Sequence, residues 1–107
     1  MKRGEVWTVS ASGYAGKPRP AVIVQDDRFD ATLSVMICPL TTNAVDAPLL
    51  RVPVAASRRN GLKTASRLMI DKLTTVSRDK LGAQVGRLDD EDVVRMNRAI
   101  LVFLGLA

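Results

Sequence analysis

The apolar residues of this chain change their spacing once, at Leu88. Before Leu88 they occur in short runs separated by glycine, proline and polar residues, whereas after it they recur three and four positions apart. The first pattern is typical of short β-strands joined by turns, and the second of an amphipathic α-helix. Because 107 residues suffice for one ordinary domain but not for two, we expect residues 1–107 to form a single domain, mainly β, with a C-terminal helix.

Five segments have the composition of strands, and two of them can be placed within a sheet. Ala21-Val22-Ile23-Val24 is a continuous apolar run, which suits a fully buried central strand. Pro53 has no backbone N–H to donate, so the segment around it is expected to be an edge strand. The predicted strands are 5–9, 21–24, 33–40, 49–54 and 66–76, the last with a short break after Leu73. Five or six such strands imply a small antiparallel barrel or sheet with a capping helix.

Two connecting segments carry strong turn signals. Residues 10–18 contain two serines, two glycines and a proline, which predicts a loop. Arg58-Arg59-Asn60-Gly61 ends in an Asn-Gly pair, which predicts a tight turn that carries two positive charges.

The last segment has the signals of a complete helix. Residues 88–92 supply an N-cap candidate and several acidic side chains at the positive end of the helix, and Gly105 is a natural stop. The apolar positions of the predicted buried stripe are Val93, Met96, Ile100 and Leu104. From Ala99 to Leu104 every residue is apolar, although a surface helix needs only one apolar stripe. We therefore expect this end to be buried on more than one side, either by its own sheet or by a second subunit.

The charge of the chain indicates an anionic partner. Sixteen Lys and Arg against eleven Asp and Glu give a net charge of +5 and a pI near 10.0. The excess is densest between residues 51 and 80, where Asp71 and Asp79 are the only acids. Such a surface attracts nucleic acid or an acidic protein, although it can also serve solubility alone. Aromatic residues are only 4% of the chain, so contacts to a nucleic acid backbone should dominate over base stacking.

The absence of histidine limits the chemistry available. With no histidine and the single cysteine Cys38, the chain lacks the ligands of the common zinc sites, an internal disulfide and any imidazole acid or base. Catalysis would have to use carboxylates, hydroxyls, Arg or Lys. Neither a membrane-spanning apolar run nor a signal peptide is apparent, so we expect a cytoplasmic protein without a membrane partner.

Five segments, in order along nearly the whole chain, resemble motifs of the MazF/PemK toxin family. They are Arg3–Trp7, Lys17–Val24 (KPRPAVIV), Pro39–Thr42 (PLTT), Gly61–Leu62 with Ser66–Asp71, and Leu81–Leu88. The members of that family are ribosome-independent mRNA endonucleases of toxin–antitoxin pairs. The resemblance implies an SH3-like or CcdB-like antiparallel barrel with a C-terminal helix, assembled as a homodimer with an RNA groove near the dimer interface.

The resemblance also implies the site and its chemistry. The family's catalytic positions correspond to Arg19 and to Thr41, and the implied reaction is attack of a ribose 2′-hydroxyl on the adjacent phosphorus. That reaction leaves a 2′,3′-cyclic phosphate and a 5′-hydroxyl, with no metal or other cofactor. The implied partners are single-stranded RNA and an antitoxin whose flexible acidic tail covers the basic groove. The residues expected to contact RNA are Lys17, Thr42, Asn43, Arg67 and Asp71.

The sequence is compatible with more than one role for Asp71. It is a carboxylate at a position where many relatives carry Asp or Glu, which makes it a candidate base. It can equally be an ion-pair partner for Lys72 or Arg67, or a residue that hydrogen-bonds the backbone at a strand end, and we favour such a structural role.

The sequence leaves two points undecided: the RNA sequence that is cut, and a second candidate function. Lys72–Ser77 replaces the family's Q-I/V-R-T-I-D segment, so the RNA sequence that is cut is not predicted. The second candidate function is a non-catalytic, CcdB-like toxin or binding module that poisons DNA gyrase. CcdB-type proteins end in Trp-Gly-Ile, whereas this chain ends Phe103–Ala107 (FLGLA), which favours RNA cleavage.

Overall fold

In the part of the chain that the structure describes, the strands form one antiparallel sheet with a single α-helix beside it. The computed structural model describes residues 1–10 and 17–107, so most of the loop predicted at 10–18 lies outside the described residues. The elements are β1 Glu5–Val9, β2 Arg19–Ile23, β3 Ser34–Thr41, β4 Arg51–Val54, β5 Ser66–Met69, β6 Thr74–Ser77, β7 Leu81–Arg87 and α1 Asp90–Phe103. The mainly β fold with a C-terminal helix is confirmed.

The sheet has the order β4-β5-β3-β2-β1-β7, with β6 also paired to β3. The long strand β3 pairs with β6 along its first half and with β5 at its end. A 3-10 turn, Ile70–Lys72, separates β5 from β6, so the predicted break in the 66–76 segment is confirmed a little earlier than expected. The segment around Pro53 is an edge strand, as expected.

The prediction of a barrel needs correction, because the sheet is open. Within the described residues the two edge strands β4 and β7 do not pair with each other. The free edge of β7 is bonded by the turn that follows β4 instead of by another strand. The Arg87 N–H of β7 donates to the Arg59 carbonyl of that turn at 2.9 Å. The described residues also form seven strands rather than five or six. The sequence pattern did not mark β7 as a strand, because Gly82 and Gly86 interrupt it.

The core has two parts, one on each face of the sheet. The alternation of side chains along β1, β2 and β3 directs Val6, Val22 and Cys38 to one face and Ala21 and Ile37 to the other, and all are fully buried. The first face is also covered by α1. Strand β2 is therefore buried on both faces from Ala21 onward, which explains its continuous apolar run.

Helix α1 begins after Asp89 and ends at Phe103, followed by Gly105 in the left-handed region at φ 75°. Met96 is fully buried, but Leu104 is 55% exposed. The chain's own sheet covers the apolar end only in part: Ala99 and Ile100 pack against the core, whereas the last turn of α1 from Leu101 onward is exposed. Burial of this end by a second subunit stays a prediction.

The described residues contain no helix with the length and apolar character needed to cross a bilayer.

Candidate active site

Strand register brings Arg19 and Thr41 to the same edge of the sheet. Arg19 opens β2 and Thr41 closes β3, and the two strands are antiparallel neighbours that pair Ala21 with Pro39. The pairing of β2 with β3 ends at that pair, and Arg19 and Thr41 each lie two residues beyond it. Because side chains two residues apart on a strand share a face, the alternation directs both toward the same face of the sheet. A guanidinium and a hydroxyl from distant parts of the sequence therefore lie at the same end of the sheet.

Arg67 extends the pair into a row. On the other side of β3, Thr41 pairs with Arg67 of β5. The same alternation puts the Arg67 side chain on the face of Thr41 and Arg19. We call Arg19, Thr41 and Arg67 the cationic row. Its order across β2, β3 and β5 places one hydroxyl between two arginines, an arrangement that suits an anionic, phosphate-bearing strand.

Hydrogen bonds orient the Thr41 hydroxyl. The backbone N–H of Asn43 donates to Thr41 Oγ1 at 3.2 Å, and Arg67 Nη1 donates to the Asn43 carbonyl at 3.3 Å. Since the hydroxyl oxygen accepts the bond from Asn43, its own proton can be donated to a bound group. Arg67 thus helps to hold the turn that orients Thr41.

The other predicted contacts flank the cationic row, with one exception. Lys17 is exposed before β2, and Thr42 and Asn43 are exposed after β3. Asp71 lies in the 3-10 turn beyond the opposite end of β5, so the structure does not bring it to the row.

Asp71 forms a two-point ion pair, which supports the structural reading. Arg51 Nε and Nη2 donate to its two carboxylate oxygens at 2.9 and 3.1 Å. The expected partners, Lys72 and Arg67, are thus wrong, because the pairing of Arg51 with Met69 places Arg51 beside the turn. The hydrogen bond from Arg51 lowers the pKa of Asp71 below its ordinary value of 3.8. A carboxylate held in this way is a weak base.

This lowered pKa predicts a pH dependence of stability. An acid whose pKa is lower in the folded state stabilises the fold above its unfolded pKa, and that contribution is lost as the pH falls through the folded value. We expect Asp71→Asn to cost roughly 1 kcal/mol or less at neutral pH. Below the ordinary pKa of 3.8, the free energy of unfolding should fall less steeply with acid in the variant than in the wild type.

Urea unfolding measured across the acidic range checks this expectation. The matched control is Asp46→Asn, because Asp46 is exposed and takes part in no ion pair among the described residues. Its carboxylate is solvated in the folded and unfolded chain alike, so the control curve should follow the wild type. Parallel curves for Asp71→Asn and the wild type would contradict the assignment.

The turn between β4 and β5 is fixed by the hydrogen bonds of Asn60, and the residues that follow it form one wall of a cavity described below. Asn60 is fully buried, accepts hydrogen bonds from the N–H groups of Ser57 and Leu62, and donates to the Ala55 carbonyl. The predicted Arg58–Gly61 turn is confirmed, but the sequence did not reveal the burial of Asn60. The only available signal was an Asn before Gly, which marks the turn and says nothing of its packing.

Two cavities open at this end of the sheet. One, of about 360 Å³, lies between the 61–64 segment and the ends of β1 and β2. The other, of about 410 Å³, lies between the end of β3 and the β4–β5 connection and includes Arg67. Thr42 and Ser66 line both cavities, so the two are adjacent.

Cys38 takes no part in the site. Burial raises the pKa of its thiol to about 12, which keeps it protonated at neutral pH. Its role is to fill the core beside Val22.

Comparison with known proteins agrees with the resemblance noted in the sequence. Residues 2–104 match the model of the family described as the PemK-like, MazF-like toxin of type II toxin–antitoxin systems. A Mycolicibacterium smegmatis protein named probable endoribonuclease MazF is 56% identical over 108 aligned residues, which cover 100% of this chain and 99% of that protein. Endoribonuclease MazF9 of Mycobacterium tuberculosis is 25% identical, covering 99% of this chain and 98% of that one.

Solved structures show the same fold. A mycobacterial structure described as an endoribonuclease in complex with its cognate antitoxin has a TM-score of 0.82 and 27% identity, and covers 100% of this chain and 97% of its own. The Mycobacterium tuberculosis toxin MazF-mt6 also has a TM-score of 0.82, with 25% identity and coverage of 96% and 98%. With a family model over residues 2–104 and a relative more than half identical along its whole length, this chain belongs to the PemK-like, MazF-like toxins of type II toxin–antitoxin systems.

Proposed function

We propose that residues 1–107 form one toxin domain that cleaves single-stranded RNA, with mRNA as a substrate. Full-length relatives are named endoribonucleases, which favours this function over a non-catalytic gyrase poison. The observation that carries the proposal is the cationic row, in which neighbouring strands bring two arginines and one threonine to the same end of the sheet in a chain of net charge +5.

The row fits a transesterification. In this reaction the 2′-oxygen forms a bond to the adjacent phosphorus and loses its proton, while the bond from phosphorus to the 5′-oxygen breaks and that oxygen gains a proton. The products are a 2′,3′-cyclic phosphate and a 5′-hydroxyl. Negative charge builds on the phosphoryl oxygens in between. The planar guanidinium of Arg19 can donate hydrogen bonds to two of those oxygens, and the Thr41 hydroxyl can donate its proton to another oxygen on the reacting phosphorus.

The arginines act as electrostatic groups rather than as bases. A guanidinium keeps its positive charge at neutral pH, so it stabilises the negative charge of the phosphorane-like transition state. Lys17, Thr42, Asn43 and Arg67 flank the reacting phosphate and contact the strand on either side of it. The reaction as proposed uses no metal and no other cofactor.

The same surface accounts for the proposed partners. A cognate antitoxin with a flexible acidic tail would cover the cationic row by charge complementarity. A homodimer would cover the exposed apolar residues at the end of α1, among them Val102 and Leu104. We place the protein in the cytoplasm, where mRNA is present.

Incubation of the purified protein with long RNA in EDTA tests the function. We expect discrete fragments whose 5′-hydroxyl ends can be labelled by a polynucleotide kinase without prior phosphatase treatment. Thr41→Val keeps the shape of the side chain and removes the hydroxyl, so it should lower the rate about 100-fold, whereas Thr41→Ser should retain most of it. Intact RNA with the wild-type protein, in EDTA and in magnesium alike, would refute RNA cleavage.

A further inference from the structure

The Asn60-Gly61 pair contains a side chain that can react without an enzyme. The amide of an Asn is open to attack by the backbone nitrogen of the next residue, and the attack is easiest before Gly, because Gly has no side chain to hinder the approach. Of the three asparagines in the chain, only Asn60 precedes a Gly, whereas Asn43 and Asn97 precede larger residues. Asn60 is therefore the position most open to spontaneous deamidation once the chain is unfolded.

The reaction needs water as its only co-reactant. The Gly61 nitrogen forms a bond to Cγ of Asn60, and the bond from Cγ to Nδ2 breaks. The side-chain nitrogen leaves as ammonia and takes with it the proton that Gly61 loses. Water then opens either C–N bond of the cyclic imide, which gives aspartate or isoaspartate.

The folded turn blocks the first step. Asn60 is fully buried, and its Oδ1 accepts hydrogen bonds from the N–H groups of Ser57 and Leu62, both at 3.0 Å. Its Nδ2 donates to the Ala55 carbonyl at 2.9 Å. The Gly61 N–H, which would have to lose its proton, donates to the Ser57 carbonyl at 3.0 Å. Because the attack would break these bonds where no water can replace them, it requires the turn to open.

The turn packs on β7 without spare room. A Cβ at Gly61 would overlap the Val85 carbonyl oxygen, and a Cβ at Gly86 would overlap the Arg59 carbonyl oxygen, so the two backbones are in direct contact. The residues after the turn, 61–64, line the cavity beside the cationic row. The position of the turn therefore sets the position of one wall of that cavity.

Neither product fits the closed turn. In an aspartate at position 60, an oxygen replaces the donor Nδ2, so two acceptors face each other at the Ala55 carbonyl in a place closed to water. An isoaspartate adds one carbon to the backbone before Gly61 and displaces it from Val85. Either change should keep the turn from returning to β7.

We propose that Asn60 is a deamidation site that the folded turn shields, and that its conversion after the turn opens inactivates the toxin irreversibly. Opening exposes the amide, and the product prevents closure, so the pair is a one-way switch. The loss of RNA cleavage rests on the proposed function and extends it, whereas the shielding does not depend on that function.

Peptide mapping by mass spectrometry tests the shielding on the full-length protein. The protein is held at mildly alkaline pH in buffer and in concentrated guanidinium chloride, and the conversion of each asparagine is followed. In guanidinium, Asn60 should convert at least about tenfold faster than Asn43 and Asn97. In buffer, Asn60 should convert at least about 100-fold more slowly than in guanidinium. Equal rates at the three asparagines in guanidinium, or equal rates at Asn60 in the two solutions, would overturn the proposal.

A serine variant tests whether opening of the turn controls the rate. Ser57 Oγ accepts a hydrogen bond from the Asn60 N–H at 3.1 Å. Ser57→Ala loses this bond, so Asn60 should convert about tenfold faster in buffer and at an unchanged rate in guanidinium. Ser34→Ala removes an exposed hydroxyl at the start of β3 and should match the wild type in both solutions. An unchanged rate for Ser57→Ala in buffer would count against control by the turn.

The inactivation is tested on two fractions of one sample. Wild-type protein is partly converted in guanidinium and refolded by dilution, and the deamidated molecules are separated by ion exchange through their additional negative charge. The deamidated fraction should cleave RNA about 100-fold more slowly than the unconverted one, because the cavity wall is displaced, and it should unfold at a lower urea concentration.

Equal cleavage by the two fractions would overturn the inactivation. If neither fraction cleaves RNA, the proposed function itself is refuted, and the urea midpoints still decide whether the turn tolerates the product. Equal midpoints would then overturn this inference as well.

Discussion

Arg19→Ala is expected to lower the rate of RNA cleavage by about 100- to 1,000-fold, the usual effect of removing one donor to a developing oxyanion. The fold should not change. Arg19 is exposed at the start of β2 and takes part in no ion pair among the described residues, so thermal unfolding of the variant should nearly coincide with that of the wild type. Single-turnover cleavage of a defined RNA and a melting curve of the same preparation measure both quantities.

Two further variants show whether the position or the charge matters. Arg28→Ala removes one positive charge at an exposed site beyond the other end of β2, so it should cut RNA at nearly the wild-type rate. Arg19→Lys keeps the charge but loses the planar fork, so its rate should fall between those of the wild type and Arg19→Ala. Wild-type activity of Arg19→Ala would remove this residue from the mechanism.

Gly61→Ala is expected to destabilise the protein by about 2 to 4 kcal/mol, the sum of a left-handed backbone and an overpacked contact. Gly61 has φ 69°, and a Cβ there would lie 2.2 Å from the Val85 carbonyl oxygen. That oxygen belongs to the backbone of β7, so the 57–62 turn and β7 would have to separate. The loss can be measured by urea unfolding at neutral pH.

Gly105→Ala is the matched control for this contact. Gly105 has a similar φ of 75°, but among the described residues no atom beyond its own chain neighbours and the adjoining helix backbone lies within 4 Å of the position of its Cβ. The control therefore carries only the backbone cost of about 1 to 2 kcal/mol, and the difference between the variants isolates the close approach to β7. Equal losses in the two variants would contradict that reading.

The elements of the fold could be predicted because they depend on local patterns. Alternation over Glu5–Val9, the apolar run before Gln25, the Asn60-Gly61 turn and the spacing after Leu88 each lie within a few residues of one another. Strand β7 escaped prediction for the same reason, since its two glycines weaken the local signal and its pairing with β1 is irregular.

The site could be predicted only in part. The resemblance assigns the catalytic role to Arg19 and Thr41 and an RNA contact to Arg67, and these assignments stay predictions. The partner of Asp71 was not predictable, because Arg51 is 20 residues away in sequence and reaches Asp71 only through the β4–β5 register.

By itself, the sequence determined the strands, the helix, the turn chemistry, the positive charge and the kinds of side chain available for catalysis. These follow from the properties of neighbouring residues. The tertiary structure alone decided that the sheet stays open, that Asn60 and Gly61 dock on β7, and that Thr41 pairs with Arg67 at the end of the sheet where Arg19 begins β2. Each of these depends on the register between strands that are distant in sequence. A shift of one residue in the register of one strand would turn each of its side chains to the other face of the sheet, and the three residues would no longer share a face.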